Sequence, residues 1–350
     1  MVSVSSSYLA SVMNQSVSQA QTALANAEVE MTTGQYANLG LQLGGESGDE
    51  ISLKDTIGSL QTYATDNTLV TGRLQAASSA LDALRSGAQT ALQGVAEWTP
   101  GNDASANLQT IGQTALEGLI SNGNASSGDE YVFGGVNTGV APLADYYASP
   151  SSAAQTAVDQ AFQTQFGFLP TDPQAADVTS AQMQTFLDGP FAALFQGSQW
   201  TTNWSSASSV NMTNTIAPGQ TIETSTNANT PAFQELAQAY TMMSEFGGSQ
   251  LSQSALSVVA NTASSLISSG STGLTEAEAS NGVAQQTITD ADNSTSSQVT
   301  ILQTQLGDMD NVDASQTATD ITNLQTQIQT AYELTSRLQQ LSLAQYLPSS

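Results

Sequence analysis

Apolar residues recur at steps of three and four along most of this chain, most regularly near the two ends of the sequence. From Tyr8 to Met31, the residues Ala10, Met13, Val17, Ala20, Leu24, Ala27 and Met31 alternate the two steps without a break, the spacing of a coiled-coil seam. From Asp313 to Leu347, the residues Ile321, Leu324, Ile328, Ala331, Leu334, Leu338 and Leu341 form a similar stripe. Each pattern predicts a helix with one narrow apolar face.

A longer helix is expected from about Asp49 to Val95. Leu53, Ile57, Leu60 and Ala64 open its stripe, and Leu74, Ala77, Leu81, Leu84, Ala88, Ala91 and Val95 continue it. At ~1.5 Å per residue such an element is about 70 Å long, which implies an elongated shape. The run Trp98-Thr99-Pro100-Gly101-Asn102 ends it, and a further helix is expected to about Ser121. Glu130-Tyr131-Val132-Phe133-Gly134-Gly135 then reads as a short strand closed by glycines.

From Val136 to Thr230 the composition turns to Pro, Gly, Asp, Ser and aromatic residues. Phe166, Phe168, Phe186, Phe191, Phe195, Trp200 and Trp204 crowd there and read as a core rather than a ligand pocket. Ser209–Thr213 and Gln220–Thr224 alternate like strands. Helical spacing returns from Pro231 to Phe246, from Gln250 to Ser268 and, after Gly270–Gly273, to Met309. Asp313 and Gln316 form a candidate capping box for the last helix.

These elements predict a mainly α protein: an elongated bundle of long N- and C-terminal helices with an inserted small mixed α/β or β-rich module. The expected division is 1–34 with 312–350 as one helical domain and 49–135 with 270–311 as a long-helix bundle. Residues 136–230 are then the inserted outer module and 231–269 a helical return segment.

Charge changes the picture of the end helices. Tyr8–Met31 carries only Glu28 and Glu30, and Asp313–Leu347 only Asp313, Asp320, Glu333 and Arg337. Ser, Thr, Gln and Asn stand where a surface helix normally carries charge, and such groups face another helix at much lower desolvation cost. One reading is an ordinary helix pair within a soluble domain. The reading preferred here is that both helices meet protein on more than one side and order in an assembly, since their small residues make weak helices alone.

The net charge of −26, from 30 acids against Lys54, Arg73, Arg85 and Arg337, argues against nucleic acid or an anionic membrane surface as a partner. The sequence has no Cys and no His, which removes disulfides, thiolate nucleophiles and any histidine-based triad. Residues 1–30 show neither a basic segment nor a continuous apolar run, so no secretory signal peptide is read there, and no apolar run is long enough to insert in a membrane. Asp308, Asp310, Asn311 and Asp313 resemble part of a calcium loop but lack its glycine and distal glutamate; they read as a helix junction. Asp49-Glu50 and Asp129-Glu130 read as first-turn and loop charges, and Gly44–Gly48 lacks the lysine of a phosphate loop. No catalytic residue, cofactor or metal is expected.

Three stretches resemble the flagellin-like family of bacterial flagellar axial proteins, with the hook-associated proteins of the hook–filament junction as the nearer likeness. Met31-Thr32-Thr33-Gly34 is similar to the Thr/Ser-Gly step ending that family's first helix, and Tyr131-Val132-Phe133-Gly134-Gly135 to its Tyr-Leu-Phe-x-Gly strand. Leu341-Ser342-Leu343-Ala344-Gln345-Tyr346-Leu347 is similar to its closing Leu-Ser-Leu-x-x-Tyr-Leu. The likeness covers 1–135 and about 270–350; the basic and Asp-Asp-Pro/Ala stretch usual after the Thr-Gly step is absent, with Gln42–Glu50 in its place.

The resemblance implies a structural protein exported unfolded through the flagellar type III channel, without a cleavable signal, into an extracellular ring at the junction of hook and filament. It implies as partners further copies of the chain, an adjoining hook-associated protein, the flagellin filament and a cytoplasmic export chaperone. Assembly contacts would then fall on Met13, Val17, Leu24, Met31, Ile321, Leu324, Ile328, Leu334, Leu338, Leu341, Leu343, Tyr346 and Leu347. A flagellin-type filament subunit is the alternative of the same class. A cell-surface binding module on a helical stalk, using the aromatic residues of 136–230, is the alternative of another class.

Overall fold

The computed structural model describes residues 6–99, 104–248 and 250–346. The chain is mainly helical and divides into two compact units, residues 1–61 with 296–350 and residues 62–295. Two long helices, α3 (Ser47–Glu97) and α9 (Gln253–Asp310), contribute residues to both units.

In the first unit, α1 (Ser6–Thr33) packs antiparallel along α10 (Ala314–Tyr346). Gly34 stops α1 by adopting φ +75° and donating its N–H to Glu30 O at 2.7 Å, a left-handed C-terminal stop open to glycine. Between Gly34 and α3 the chain forms a short helix, α2 (Leu39–Leu43), and one tight turn leading into α3. Asp313 caps α10, accepting from the N–H of Ser315 at 2.8 Å and of Gln316 at 3.2 Å. The reciprocal half of the capping box is missing, because the Gln316 amide donates forward to Asp320 Oδ1 at 3.0 Å.

In the second unit, α4 (Ala104–Gly123) lies against α8 (Pro231–Phe246) with backbones in close approach. A Cβ on Gly112 would sit 2.4 Å from Ser244 N, and one on Gly247 would sit 2.6 Å from Gln109 N. Proline at its first turn starts α8 without losing a hydrogen bond the helix would otherwise make. Most of this helix is buried, polar Gln238, Thr241 and Ser244 included.

Ala77–Val95 of α3 and Ala255–Leu274 of α9 add their apolar stripes to the same core. The glycines expected to break α9 do not. Gly270 and Gly273 lie inside the helix where a Cβ would press Leu236 Cγ at 2.7 Å and Ala232 Cβ at 3.0 Å. They admit α8 rather than ending α9.

Two short hairpins complete this unit: β1 (Ser126–Ser127) with β2 (Glu130–Tyr131), and β3 (Thr213–Ala217) with β4 (Gln220–Glu223). The strand expected at Glu130–Gly135 is thus only two residues long. That expected at Ser209–Thr213 begins at Thr213, where Thr213 pairs with Glu223. Ile216 of β3 is buried with Val70 and Leu74 of α3 and Ile288 and Ala291 of α9 in a second, smaller core. Polar pins hold the same elements: Asn67 Nδ2 donates to Ile216 O at 2.9 Å and Asp292 Oδ1 at 2.6 Å, and Asn281 Nδ2 to Leu74 O at 2.8 Å.

The rest of the inserted region carries three short helices, α5 (Ala153–Phe166), α6 (Ser180–Phe186) and α7 (Gly197–Asn203), joined by turns and irregular chain. Its aromatic residues form a core, as their clustering predicts. Phe162 lies 5.5 Å from Phe246 of α8, Trp200 stacks on Trp204 at 5.8 Å, and Trp204 on Tyr146 at 5.2 Å. Trp200 and Trp204 are buried, and Trp200 Nε1 donates to Asn229 Oδ1 at 2.9 Å. They are closed to a ligand, which removes the feature that favoured a binding module on a stalk.

Candidate assembly interface

On α1 the stripe faces inward as its spacing predicts: Met13, Val17, Ala20 and Leu24 are half-buried and Ala27 is buried. Met31, near the end of the helix, is half-exposed. On α10 Thr317 is buried, and Ile321, Leu324, Ile328, Ala331 and Thr335 are half-buried.

Leu334, expected on this stripe, is 45% exposed. A helix turns by about 100° per residue, so steps of four and three must alternate to hold one face. A second step of three after Ala331 carries Leu334 round the helix, and Thr335 takes its place. Leu338, Leu341, Leu343 and Tyr346 lie in α10, but their side chains fall outside the described residues, as does Leu347 altogether.

Backbone pairing sets the register of the two helices. Tyr36 N–H donates to Asp310 O at 3.0 Å and Val312 N–H to Gly34 O at 2.9 Å, with Gln35 opposite Asn311. Further along, Gln21 Nε2 donates to the Tyr332 hydroxyl at 2.9 Å. Beneath the junction Lys54 bonds Glu50 and reaches Asp310 Oδ2 at 3.2 Å. The hydrogen bond to Glu50 and the charge of Asp310 hold the Lys54 ammonium above its ordinary pKa. The acids read as a helix junction therefore serve as one, with Asp310 98% buried.

Lys54→Met removes the counter-ion of Asp310 and is expected to destabilise the first unit by about 1–2 kcal/mol. A fully buried pair would lose more, but Lys54 is half-exposed and partly screened. Hydrogen exchange at Tyr36 and Val312, faster by roughly 10-fold or more, is the measurement.

Off their shared seam the two helices leave Tyr8, Val12, Val29 and Leu334 close to half exposed or more. The hydroxyls along the outer side of α10 are satisfied within the helix, as in Thr322, Thr326 and Thr330, which donate to the carbonyl four residues back at 2.8–3.0 Å. That face offers apolar surface and internally satisfied hydroxyls, with little charge to desolvate. Among the described residues, no group of three or more acids is placed to hold a metal ion, and no helix is long and apolar enough to cross a membrane.

Family models of the bacterial flagellin N-terminal helical region and C-terminal helical region match residues 4–138 and 264–347. Together they take in more than half of the chain. A solved structure described as a flagellar hook-associated protein of Vibrio parahaemolyticus is similar in fold, with a TM-score of 0.51 and 10% identity over 75% of this chain and 96% of that one. No curated protein matches the chain.

Proposed function

Because the chain belongs to the flagellin-like family of bacterial flagellar proteins, whose members are exported structural subunits, we propose that it forms an adaptor ring between hook and filament. The observation that carries the proposal is the α1–α10 pair, whose outward faces are apolar and nearly uncharged. In this reading 1–34 and 312–350 line the inner tube, 49–135 and 270–311 form the next shell, 136–230 faces outward and 231–269 returns the chain to the bundle. The two seams, with Met13, Val17 and Leu24 facing Ile321, Leu324 and Ile328, hold each subunit's hairpin. Met31, Leu334 and the end of α10, with Leu338, Leu341, Leu343, Tyr346 and Leu347, meet neighbouring copies. An adjoining hook-associated protein and the flagellin filament are the partners above and below, and a cytoplasmic chaperone covers α10 before export through the type III channel. Only the helical body of these proteins is demanded by the reading; no residue carries a catalytic role.

A filament subunit is the second reading, favoured by the match of both flagellin end regions. Abundance separates the two. In sheared flagella a junction protein is expected at a few per cent or less of the major band, and a dominant band would make the chain the filament subunit.

A further inference from the structure

The second unit holds a groove that its described residues leave open. Residues of α3 and α4 wall about 620 Å³ of space above Tyr240 of α8. Ala83, Gly87 and Ala91 recur at steps of four along the α3 wall, and Ala115 and Gly118 belong to the α4 wall. A Cβ on Gly87 or Gly118 would meet nothing within 4 Å. Tyr240 is only 2% exposed, and among the described residues its hydroxyl makes no hydrogen bond.

A small-molecule pocket is walled mainly by large apolar and aromatic side chains. Glycine and alanine at helical spacing instead admit the ridge of another helix at close approach. Charge marks which helix. Glu97 lies at one end of the groove, and no cation is among the lining residues. Of the chain's four cations, Lys54, Arg73 and Arg85 are each held by carboxylates. Arg337 is exposed on α10 and, among the described residues, pairs with none.

At about 100° per residue, Thr322, Thr326, Thr330 and Arg337 fall within roughly 80° of one another. All four are exposed. The threonine hydroxyls are bonded within the helix, so this side can be covered without stranding a donor.

We propose that this side of α10 from a second copy lies in the groove parallel to α3, with Arg337 at Glu97, Thr330 beside Ala91, Thr326 beside Gly87 and Thr322 beside Ala83. At ~1.5 Å per residue, Ala91, Gly87 and Ala83 lie about 9, 15 and 21 Å back from Glu97. The three threonines lie about 10.5, 16.5 and 22.5 Å back from Arg337 on the same measure. The offset is one constant residue step, well within the reach of an arginine side chain. Gln329 flanks the row and supplies a partner for the Tyr240 hydroxyl, while Glu333 falls at the open rim and stays solvated. The inference rests on the self-association in the reading above and names where the outer side of α10 lands.

The chain has no cysteine, so single cysteines report the contact directly. Full-length Gly87→Cys protein is mixed with Thr326→Cys protein and oxidised, and the joined peptides are identified by mass. The control partner is Gln325→Cys, exposed but about 100° round the helix. The Thr326 pair is expected to cross-link about 10-fold more, since disulfide geometry tolerates little misplacement. Glu97→Arg and Arg337→Glu should each weaken self-association about 3–10-fold in sedimentation, and the double variant should recover most of it. Equal yields from the two cysteine pairs, or a double variant no better than the single ones, would overturn the contact. So would cross-linking of Gly87→Cys to a different flagellar protein in place of α10. The adaptor role is tested separately, by microscopy of cells lacking the gene, and can stand or fall without this contact.

Discussion

Ile328→Asp is expected to abolish self-assembly while leaving the second unit folded. Ile328 lies on the inward stripe of α10 between Leu324 and Ala331, and among the described residues no cation is placed beside it: Lys54 is held by Glu50 and Asp310, and Arg337 is more than two turns further along α10. Placing a carboxylate on that stripe removes the apolar contribution and adds desolvation, about 3 kcal/mol or more together. The seam has little to spare, because among the described residues most of its side chains remain half-exposed and only Ala27 and Thr317 are buried. In an assembly the loss recurs in every copy. Sedimentation of the purified variant should show monomer where the parent forms large species, with the tryptophan emission of the second unit unchanged. Assembly at parental concentration would separate the α1–α10 pair from the interface.

Gly112→Val should have the opposite distribution of effects, striking the second unit. The first atom of any side chain at that position would lie 2.4 Å from Ser244 N and 2.7 Å from the Met243 carbonyl carbon. These are backbone atoms of a buried helix and cannot turn aside, so α4 and α8 must separate. Overpacking of this kind costs about 3 kcal/mol or more, or about 10 °C in melting temperature for a unit of this size. Gly72→Ala supplies the contrast. Its Cβ would meet nothing within 4 Å in the middle of α3, and alanine there should stabilise by up to about 1 kcal/mol. Equal melting temperatures for the Gly112 variant and the parent would refute the close approach of α4 and α8.

The helices were legible because their apolar residues recur at a period that only one local structure satisfies. Pro231 and Phe246 mark the ends of α8 to the residue, since a first-turn proline and a following glycine are local signals. Where the same residue type serves two purposes the sequence is ambiguous. Gly34 ends a helix by its positive φ, while Gly270 and Gly273 sit within one to let α8 approach, and nothing within a few residues of them tells these uses apart.

At the candidate interface, Met13 to Leu24 and Ile321 to Ile328 could be placed by spacing alone. Leu334 could not, because its apolar character suggested a seam position that helical geometry gives to Thr335.

Electron microscopy of cells lacking this gene, with the culture medium assayed for shed flagellin, tests the central claim most directly. An adaptor between hook and filament predicts bare hooks, with filament protein made and lost to the medium for want of a base to grow on. Normal filaments on motile cells would contradict it.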